Sequence, residues 1–141
     1  MRHPAILGVA HEPGPDALLW NDEQWRNEAE AWTRRRLGEL GRAVTGTIDQ
    51  SHIRPWGTAF NVPTNEGTVW FKASIPELAH EVATLEILGE RGARAAPSLL
   101  AGDRGRGWML IEDAGRSLRE IEPRRVEDWE VAVATLSLIH I

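Results

Sequence analysis

A run of three β-type segments joined by two short turns constrains the fold of this chain more than any other feature of its sequence. Residues 44–53, 58–62 and 68–73 have compositions that favour strands, and the turn-forming stretches 54–57 and 65–67 separate them. Turns this short join antiparallel neighbours, whereas parallel strands need a crossover of a dozen or more residues. The sequence therefore predicts an antiparallel meander of three strands.

A helix is predicted before the meander, over residues 21–40. Asn21 can serve as its N-cap with Gln24 at the capping-box position, and Gly41 can end it. The spacing of its apolar residues is typical of one buried helical face. That face is formed by Trp25, Ala29, Trp32 and Leu40.

A second helix and two further strands are predicted after the meander. Pro76 suits the first turn of a helix that runs to about residue 91, residues 97–102 and 108–112 have strand composition, and residues 126–135 resume a helical pattern. Three strands, one helix and two strands predict an α+β fold. We expect a five-stranded antiparallel sheet with a single helix packed on it.

Composition and charge exclude several classes of protein. The chain has 141 residues, no cysteine and a net charge of −5, and its arginines are interspersed with acidic residues. Disulfides and thiolate metal sites are thereby excluded, and no basic footprint for nucleic acid is present. No apolar run approaches the ~20 residues that a membrane-spanning helix needs, and the N-terminal apolar stretch is too short for a secretory signal. We expect a cytoplasmic protein without nucleic-acid or membrane partners.

Lys72 is the only lysine in a chain that contains fifteen arginines. An ammonium is a compact point charge on a thin stem, whereas a guanidinium is a planar fork of five donors. A lysine retained in such an arginine-rich chain suggests a narrow site for a point charge, such as a pair of phosphate oxygens. The alternative is that Lys72 is a solvated strand end that happens to be lysine.

The surroundings of Lys72 favour an anion site. Lys72 ends the third predicted strand, and Glu81, nine residues further on, lies in the second predicted helix. An ion pair between them would hold the ammonium rigid and aim it at an anionic ligand over the sheet. The first hairpin, from Ser51 to Thr58, would form a flap above that ligand, to which Ser51, Gly57 and Thr58 would offer N–H groups and hydroxyls. This flap has no glycine-rich signature.

Four short motifs resemble one known family when they are taken together and in order. They are VWFKA at residues 69–73, HEVATLEIL at 80–88, PSLLA at 97–101 and WMLIEDAG at 108–115. In this order, and with the only lysine in the third strand, they resemble the N-terminal lobe of the aminoglycoside phosphotransferase family, which has the protein-kinase-like fold. The resemblance covers about residues 44–120, and the helix at 21–40 is similar to the extension that many bacterial members carry.

The resemblance implies roles for particular residues. Lys72 would contact the α- and β-phosphates of ATP, and the register of the motifs favours Glu81 over Glu77 and Glu86 as its helical partner. Backbone groups of a hinge segment would read the edge of the adenine. That hinge is formed by Ile111, Glu112 and Asp113. The cofactor implied is ATP, or another nucleoside triphosphate, with Mg²⁺, and the acceptor is the alcohol group of a small molecule.

The sequence departs from the family pattern in its C-terminal part. In the family, the catalytic Asp and the metal ligands come from a second lobe that contains His-Gly-Asp, and none of the five histidines here precedes Gly-Asp. We therefore expect an N-terminal extension at residues 1–43, a nucleotide-binding lobe at 44–115, and a linker with the first helix of a truncated second lobe at 116–135. Residues 136–141 read as the translation of a sequencing adapter, and we expect that tail to be foreign.

Two other functions stay open at this point. One is a non-catalytic, nucleotide-sensing module of pseudokinase type, which would use the same lysine. The other is an α+β protein-interaction domain in which Lys72 has no ligand and a sheet face docks a partner.

Overall fold

The computed structural model describes residues 19–116 and 125–137, and within them the chain forms three α-helices and five strands. In chain order these elements are α1 (Glu23–Glu39), β1 (Asp49–Arg54), β2 (Gly57–Thr64), β3 (Gly67–Ser74), a 3-10 turn (Pro76–Leu78), α2 (His80–Glu90), β4 (Leu99–Asp103), β5 (Trp108–Glu112) and α3 (Val126–Ser137). The predicted α+β class and five strands are confirmed. Three parts of the predicted organisation lie outside the described residues: residues 1–18 of the N-terminal extension, residues 117–124 of the linker and residues 138–141 of the tail.

The five strands form one sheet in the order β1-β2-β3-β5-β4, and every neighbouring pair is antiparallel. Side chains of β2 alternate strictly between buried and half-buried positions, as expected of a strand with one face on the core. On β3, Val69, Phe71 and Ala73 are buried, whereas Trp70 and Lys72 lie on the opposite face and are half-buried. The sheet therefore has one dry face, and its second face, which carries Lys72, is covered by α2 next to β4 and is open elsewhere; we call this second face the open face.

The dry face of the sheet packs against α1 through aromatic side chains. The Trp25 ring lies 6.0 Å from Phe60 and 5.9 Å from Trp108, measured between ring centroids. Trp32 lies 5.9 Å from Phe71 and 5.8 Å from Trp108. These pairs are edge-to-face, the arrangement that aromatic quadrupoles favour. Two helices contact the sheet: α1 packs on this face, and α2 contacts β4. The sequence predicted a single packed helix, so the contact made by α1 was not foreseen.

The N-terminus and the buried face of α1 differ in detail from the sequence prediction. The N-cap is Asp22 and not Asn21: its Oδ1 accepts a hydrogen bond of 2.7 Å from the backbone N–H of Trp25. Leu37, fully buried, takes the place predicted for Leu40, which is 47% exposed. Leu40 is the C-cap residue, where the helical periodicity on which the prediction relied no longer applies.

The first strand and the second helix are both shorter than predicted. β1 starts at Asp49, and Val44 makes only an isolated bridge to Thr64. Ser51 is an extra residue in the β1–β2 ladder, because Gln50 pairs with Phe60 and His52 pairs with Ala59. After β3 the chain first makes a 3-10 turn at Pro76–Leu78, and the α-helix begins at His80.

Helix α2 lies close against β4 because Gly102 has no side chain. A Cβ atom at Gly102 would lie 2.5 Å from Cγ1 of Val82, which is fully buried on α2. Val82 is β-branched and has few alternative rotamers. Gly102 therefore sets how near α2 comes to the sheet, and with it the position of every side chain that α2 presents.

Helix α3 differs from the other two in its exposure. Val126, Trp129, Val131 and Val133 are between 48% and 71% exposed. The sequence favours Val126, Trp129 and Val133 as the buried side of this helix, as part of a second lobe, and they are not buried here. None of the helices in the described part of the chain is both long and apolar enough to cross a membrane.

We expect Trp32→Ala to lower the free energy of unfolding by about 3–5 kcal/mol, because it removes a 4%-exposed ring that contacts two other aromatic rings. Trp129→Ala is the matched control: its ring is 48% exposed, and the change should stay within about 0.5 kcal/mol. Urea unfolding followed by circular dichroism measures both. Equal losses in the two variants would contradict the assignment of the core to α1 and the sheet.

We expect Gly102→Ala to destabilise the fold by about 1–3 kcal/mol, since the added methyl group meets Val82. In a chain that also carries Val82→Ala, the same substitution should cost less, which gives a favourable coupling energy in a double-mutant cycle. Gly38→Ala is the control, because a Cβ at Gly38, within α1, meets nothing within 4 Å. That change should stabilise the chain by about 0.5–1 kcal/mol.

Candidate functional site

The centre of the candidate site is an ion pair between a strand and a helix. Lys72, near the end of β3, donates a hydrogen bond from Nζ to Oε1 of Glu81, in the first turn of α2. The two side chains are 39% and 35% exposed. Exposed ion pairs contribute little to stability, at most about 1 kcal/mol. What this pair does is fix the ammonium on the open face of the sheet, as the sequence predicted.

The ammonium of Lys72 opens onto a cleft of about 290 Å³ between the β1–β2 hairpin, β3 and the start of α2. Besides Lys72, two basic side chains line this cleft, His52 and Arg54, both exposed. Glu81 is the one acidic residue among them. The lining is thus locally basic in a chain whose net charge is −5, which suits an anionic ligand. The remaining residues that line it are Trp56, Gly57, Thr58, Ala59, Ser74 and Leu78.

The three residues predicted for the flap have different surroundings. Thr58 is 3% exposed, and its hydroxyl is engaged within the hairpin: it donates to the carbonyl of His52 at 2.7 Å and accepts from Nε2 of Gln50 at 3.0 Å. Gly57 begins β2, where a Cβ would lie 2.6 Å from the carbonyl oxygen of Ala73. Close strand approach therefore requires glycine there.

Ser51, the third of these residues, occupies the bulge of β1. Its hydroxyl lies 3.0 Å from Nδ1 of His52. Gly57 and Thr58 line the cleft, whereas Ser51 is not among the residues that do. In a bulge the extra residue leaves the ladder and the strand twists more strongly. The hairpin that covers the cleft is thus twisted next to His52.

The predicted hinge lies at the far end of β5 from the ion pair. Lys72 pairs with Met109, and Glu112 pairs with Val69, so the two positions are three residues apart along the same strand pair. At ~3.3 Å per residue this is about 10 Å. Ile111 pairs with Trp70 on β3, and the N–H of Glu112 donates to the carbonyl of Ser98 at 3.0 Å.

The side chain of Glu112 is held by Arg42, which precedes the sheet in the chain. Arg42 forms ion pairs with Oε1 of Glu112 at 2.6 Å and with Oε2 of Glu66, in the β2–β3 turn, at 2.9 Å. The hydrogen bond that Arg42 donates to Glu112, followed by the negative charges of both carboxylates, raises the pKa of Arg42 above its ordinary value. Arg42 therefore stays charged and fixes the end of β5 to the neighbouring turn.

The side chain of Asp113 joins the hinge to β3. Its Oδ1 accepts hydrogen bonds from Nε1 of Trp70 at 3.2 Å and from the backbone N–H of Gly115 at 3.1 Å. Trp70 lies on the same face of the sheet as Lys72, two residues before it, and its ring centroid is 6.3 Å from that of His52. The open face thus carries a row of side chains that leads from the cleft to the hinge.

Glu77 and Glu86, the other two carboxylates considered as partners of Lys72, form no ion pair with it among the described residues. Glu86 forms an ion pair with Arg104, with a hydrogen bond of 2.8 Å from Nε, which leaves Glu81 as the partner of Lys72. Glu77 lies in the 3-10 turn before α2 and is exposed. In the described part of the chain, no group of three or more His, Asp or Glu side chains is arranged to hold a metal ion.

Sequence reasoning did not find Arg42, His52, Arg54 or Trp70. Arg42 and Glu112 are 70 residues apart, and nothing in either local sequence marks the pairing. Trp70 offered a signal that could have been used, because a strand places residues i and i+2 on one face and so puts Trp70 beside Lys72. His52 lies on that face as well, because it pairs with Ala59, which in turn pairs with Lys72.

Comparison with known proteins adds no further assignment: no family model, no curated protein and no solved structure matches this chain.

Proposed function

We propose that residues 44–115 form the ATP-binding lobe of a small-molecule phosphotransferase of the aminoglycoside phosphotransferase type. The observation that carries this proposal is the Lys72–Glu81 pair, which holds the only ammonium side chain of the sequence at the mouth of a basic cleft. In protein kinases a strand lysine paired with a helix glutamate binds the phosphates of the nucleotide. The same geometry here supports the same task.

The composition of the cleft supports an anionic ligand rather than a neutral one. Lys72, Arg54 and His52 line it against the single carboxylate of Glu81. Charge-assisted hydrogen bonds from the ammonium of Lys72 and the guanidinium of Arg54 to a phosphate would be about twice as strong as neutral ones. A volume of about 290 Å³ is at the low end of the ~300–1,000 Å³ typical of ligand pockets, so it suits a phosphate chain better than a whole nucleotide.

The remainder of a nucleotide has a path along the open face. The hinge lies about 10 Å from Lys72 along the strand pair, and the row formed by Trp70 and Asp113 connects the two. A ligand with its phosphates in the cleft and its base at the hinge would follow this row. Elongated ligands with a polyanionic end and an aromatic end fit this arrangement, and ATP is such a ligand.

Nucleotide binding is the part of the reaction that we assign to these residues. Phosphoryl transfer also needs Mg²⁺ and a positioned acceptor alcohol. Because no metal-binding group occurs among the described residues, we assign the metal, the acceptor and the transfer step to none of them. A non-catalytic nucleotide-sensing module would use the same pair and the same cleft, and only an assay for phosphate transfer separates the two.

We expect the 141-residue chain to bind ATP, and Lys72→Ala to weaken that binding tenfold or more, about 1.4 kcal/mol, because hydrogen bonds to charged groups are worth about that much or more. Lys72→Arg should also lose affinity, since the wider fork displaces either Glu81 or a phosphate. Isothermal titration calorimetry with ATP measures the affinity. The melting temperature should change little, because both side chains of the pair are more than one third exposed.

Glu86→Gln is the matched control. It removes an ion pair from the same helix, with Arg104, on a side chain of similar exposure that does not line the cleft. Its ATP affinity should equal that of the unmodified chain, whereas Glu81→Gln should lower it. If Lys72→Arg binds ATP as well as the unmodified chain does, Lys72 is a solvated strand end. If the unmodified chain binds no nucleotide, the proposed function is contradicted and the protein-interaction domain becomes the favoured alternative.

A further inference from the structure

Arg42 holds the predicted hinge from the face of the sheet that lies opposite the cleft. Glu112 pairs with Val69, which is buried on the dry face, so the side chain of Glu112 lies on that face too. There Nη2 of Arg42 donates a hydrogen bond of 2.6 Å to Oε1 of Glu112. Asp113, the next residue, is bonded to Trp70 on the open face. The hinge is thus held on both faces, and a ligand in the cleft meets only one of them.

The backbone of Arg42 is anchored to the end of α1. Its N–H donates to the carbonyl of Leu37 at 2.9 Å, and the N–H of Gly41, whose φ is +74°, donates to the carbonyl of Gly38 at 3.0 Å. These are the two hydrogen bonds of a Schellman motif, which ends a helix in a fixed direction. Leu37 is fully buried in the core. The place of the Arg42 side chain therefore follows from how α1 packs on the sheet.

The ion pairs of Arg42 differ from the other arginine pairs of the described residues in their burial. The side chain of Arg42 is 16% exposed, whereas the other paired arginines range from 37% to 67%. Arg42 also binds two carboxylates from different segments, Glu112 on β5 and Glu66 in the β2–β3 turn. A largely buried charge is costly to leave unpaired, so its partners are held more firmly than those of a surface pair. Arg42 is thus a fixed link between α1 and the hinge.

We propose that Arg42 is a positioning residue for nucleotide binding: through Glu112 it sets the place of the hinge backbone, and it thereby couples the packing of α1 to recognition of the base. This inference rests on the proposed function and adds to it a residue that does not touch the ligand. Hydrogen bonds weaken steeply when their angles are poor, so a displaced hinge binds the base less well. The phosphate cleft lies about 10 Å away along the strand pair and keeps its geometry.

The test compares ATP with inorganic tripolyphosphate, which has the phosphates but no base. We expect Arg42→Gln to weaken ATP binding about three- to tenfold, as for the loss of one hydrogen bond, and to leave tripolyphosphate binding unchanged. Glu112→Gln should show the same pattern, and the double variant should lose no more than either single one, because both act through one contact. Arg42→Lys keeps the charge and should recover part of the affinity. Isothermal titration calorimetry measures both ligands.

Arg104→Gln is the matched control. It removes an arginine–glutamate pair, with Glu86, at the turn between β4 and β5, and neither side chain lines the cleft. The affinities for ATP and for tripolyphosphate should both stay unchanged in this variant. An equal loss of both ligands in Arg42→Gln is what a general loosening of the fold would give, and it would overturn the inference. Unchanged or tighter ATP binding by folded Arg42→Gln would overturn it as well.

A measurement on the unmodified chain keeps the inference testable if Arg42→Gln does not fold. The Nε–H group of Arg42 is bound to Glu66 at 2.9 Å, on the side of the sheet away from the ligand. Its nuclear magnetic resonance signal should shift when ATP is added and stay in place with tripolyphosphate, because only ATP reaches the hinge. No shift with ATP would contradict the coupling. If Lys72→Ala still weakens both ligands, the proposed function survives that failure. If neither ligand binds the unmodified chain, both proposals fall.

Discussion

The packing of α1 on one face of the sheet is the interaction on which the rest of the structure depends. Trp25 and Trp32 place their rings against Phe60, Phe71 and Trp108, which come from three different strands. Burying aromatic rings supplies a large share of the driving force for folding in a domain of this size. Because this packing takes place on one face, the opposite face can carry polar and charged side chains without weakening the core.

The ion pair of the candidate site is therefore free to serve geometry rather than stability. Lys72 and Glu81 are each more than one third exposed, so removing the pair should cost the fold little. The position of the pair depends on how α2 packs on the sheet. Gly102 lets α2 approach β4, and the side chain of Val82 packs against Gly102. The packing of Val82 against Gly102, whose disruption should destabilise the fold, thus positions an ion pair whose removal should change stability little.

The sequence predicted the parts of the molecule that local patterns determine. The five strands and the two helices around them follow from turn composition and periodicity, whereas the choice of Glu81 as the partner of Lys72 came from the register of the family resemblance. Cap and boundary details were less predictable: Asp22 and Asn21 are both good N-cap residues, and the choice between them depends on the approach of the preceding chain. The start of β1 at Asp49 likewise depends on which residues find partners on β2.

Contacts between distant segments could not be predicted from single motifs. The bridge from Arg42 to Glu66 and Glu112 joins three segments of unrelated sequence, and only the folded sheet brings them together. The role of α1 was underestimated for the same reason. Its apolar face was recognised, but no local pattern indicated that this helix would cover the dry face of the sheet.

The contacts of Trp108 have a consequence for the order in which the chain can fold. Trp108 completes the aromatic core with Trp25 and Trp32, which lie more than seventy positions earlier in the sequence. During synthesis, α1 and the first hairpin leave the ribosome long before β5 exists to join them. Contacts of such large sequence separation make folding slow, because much loop entropy is lost before they form. Until β5 has been synthesised, the tryptophans of α1 therefore lack their contact with Trp108. We expect the aromatic core to be complete only after β5 has formed.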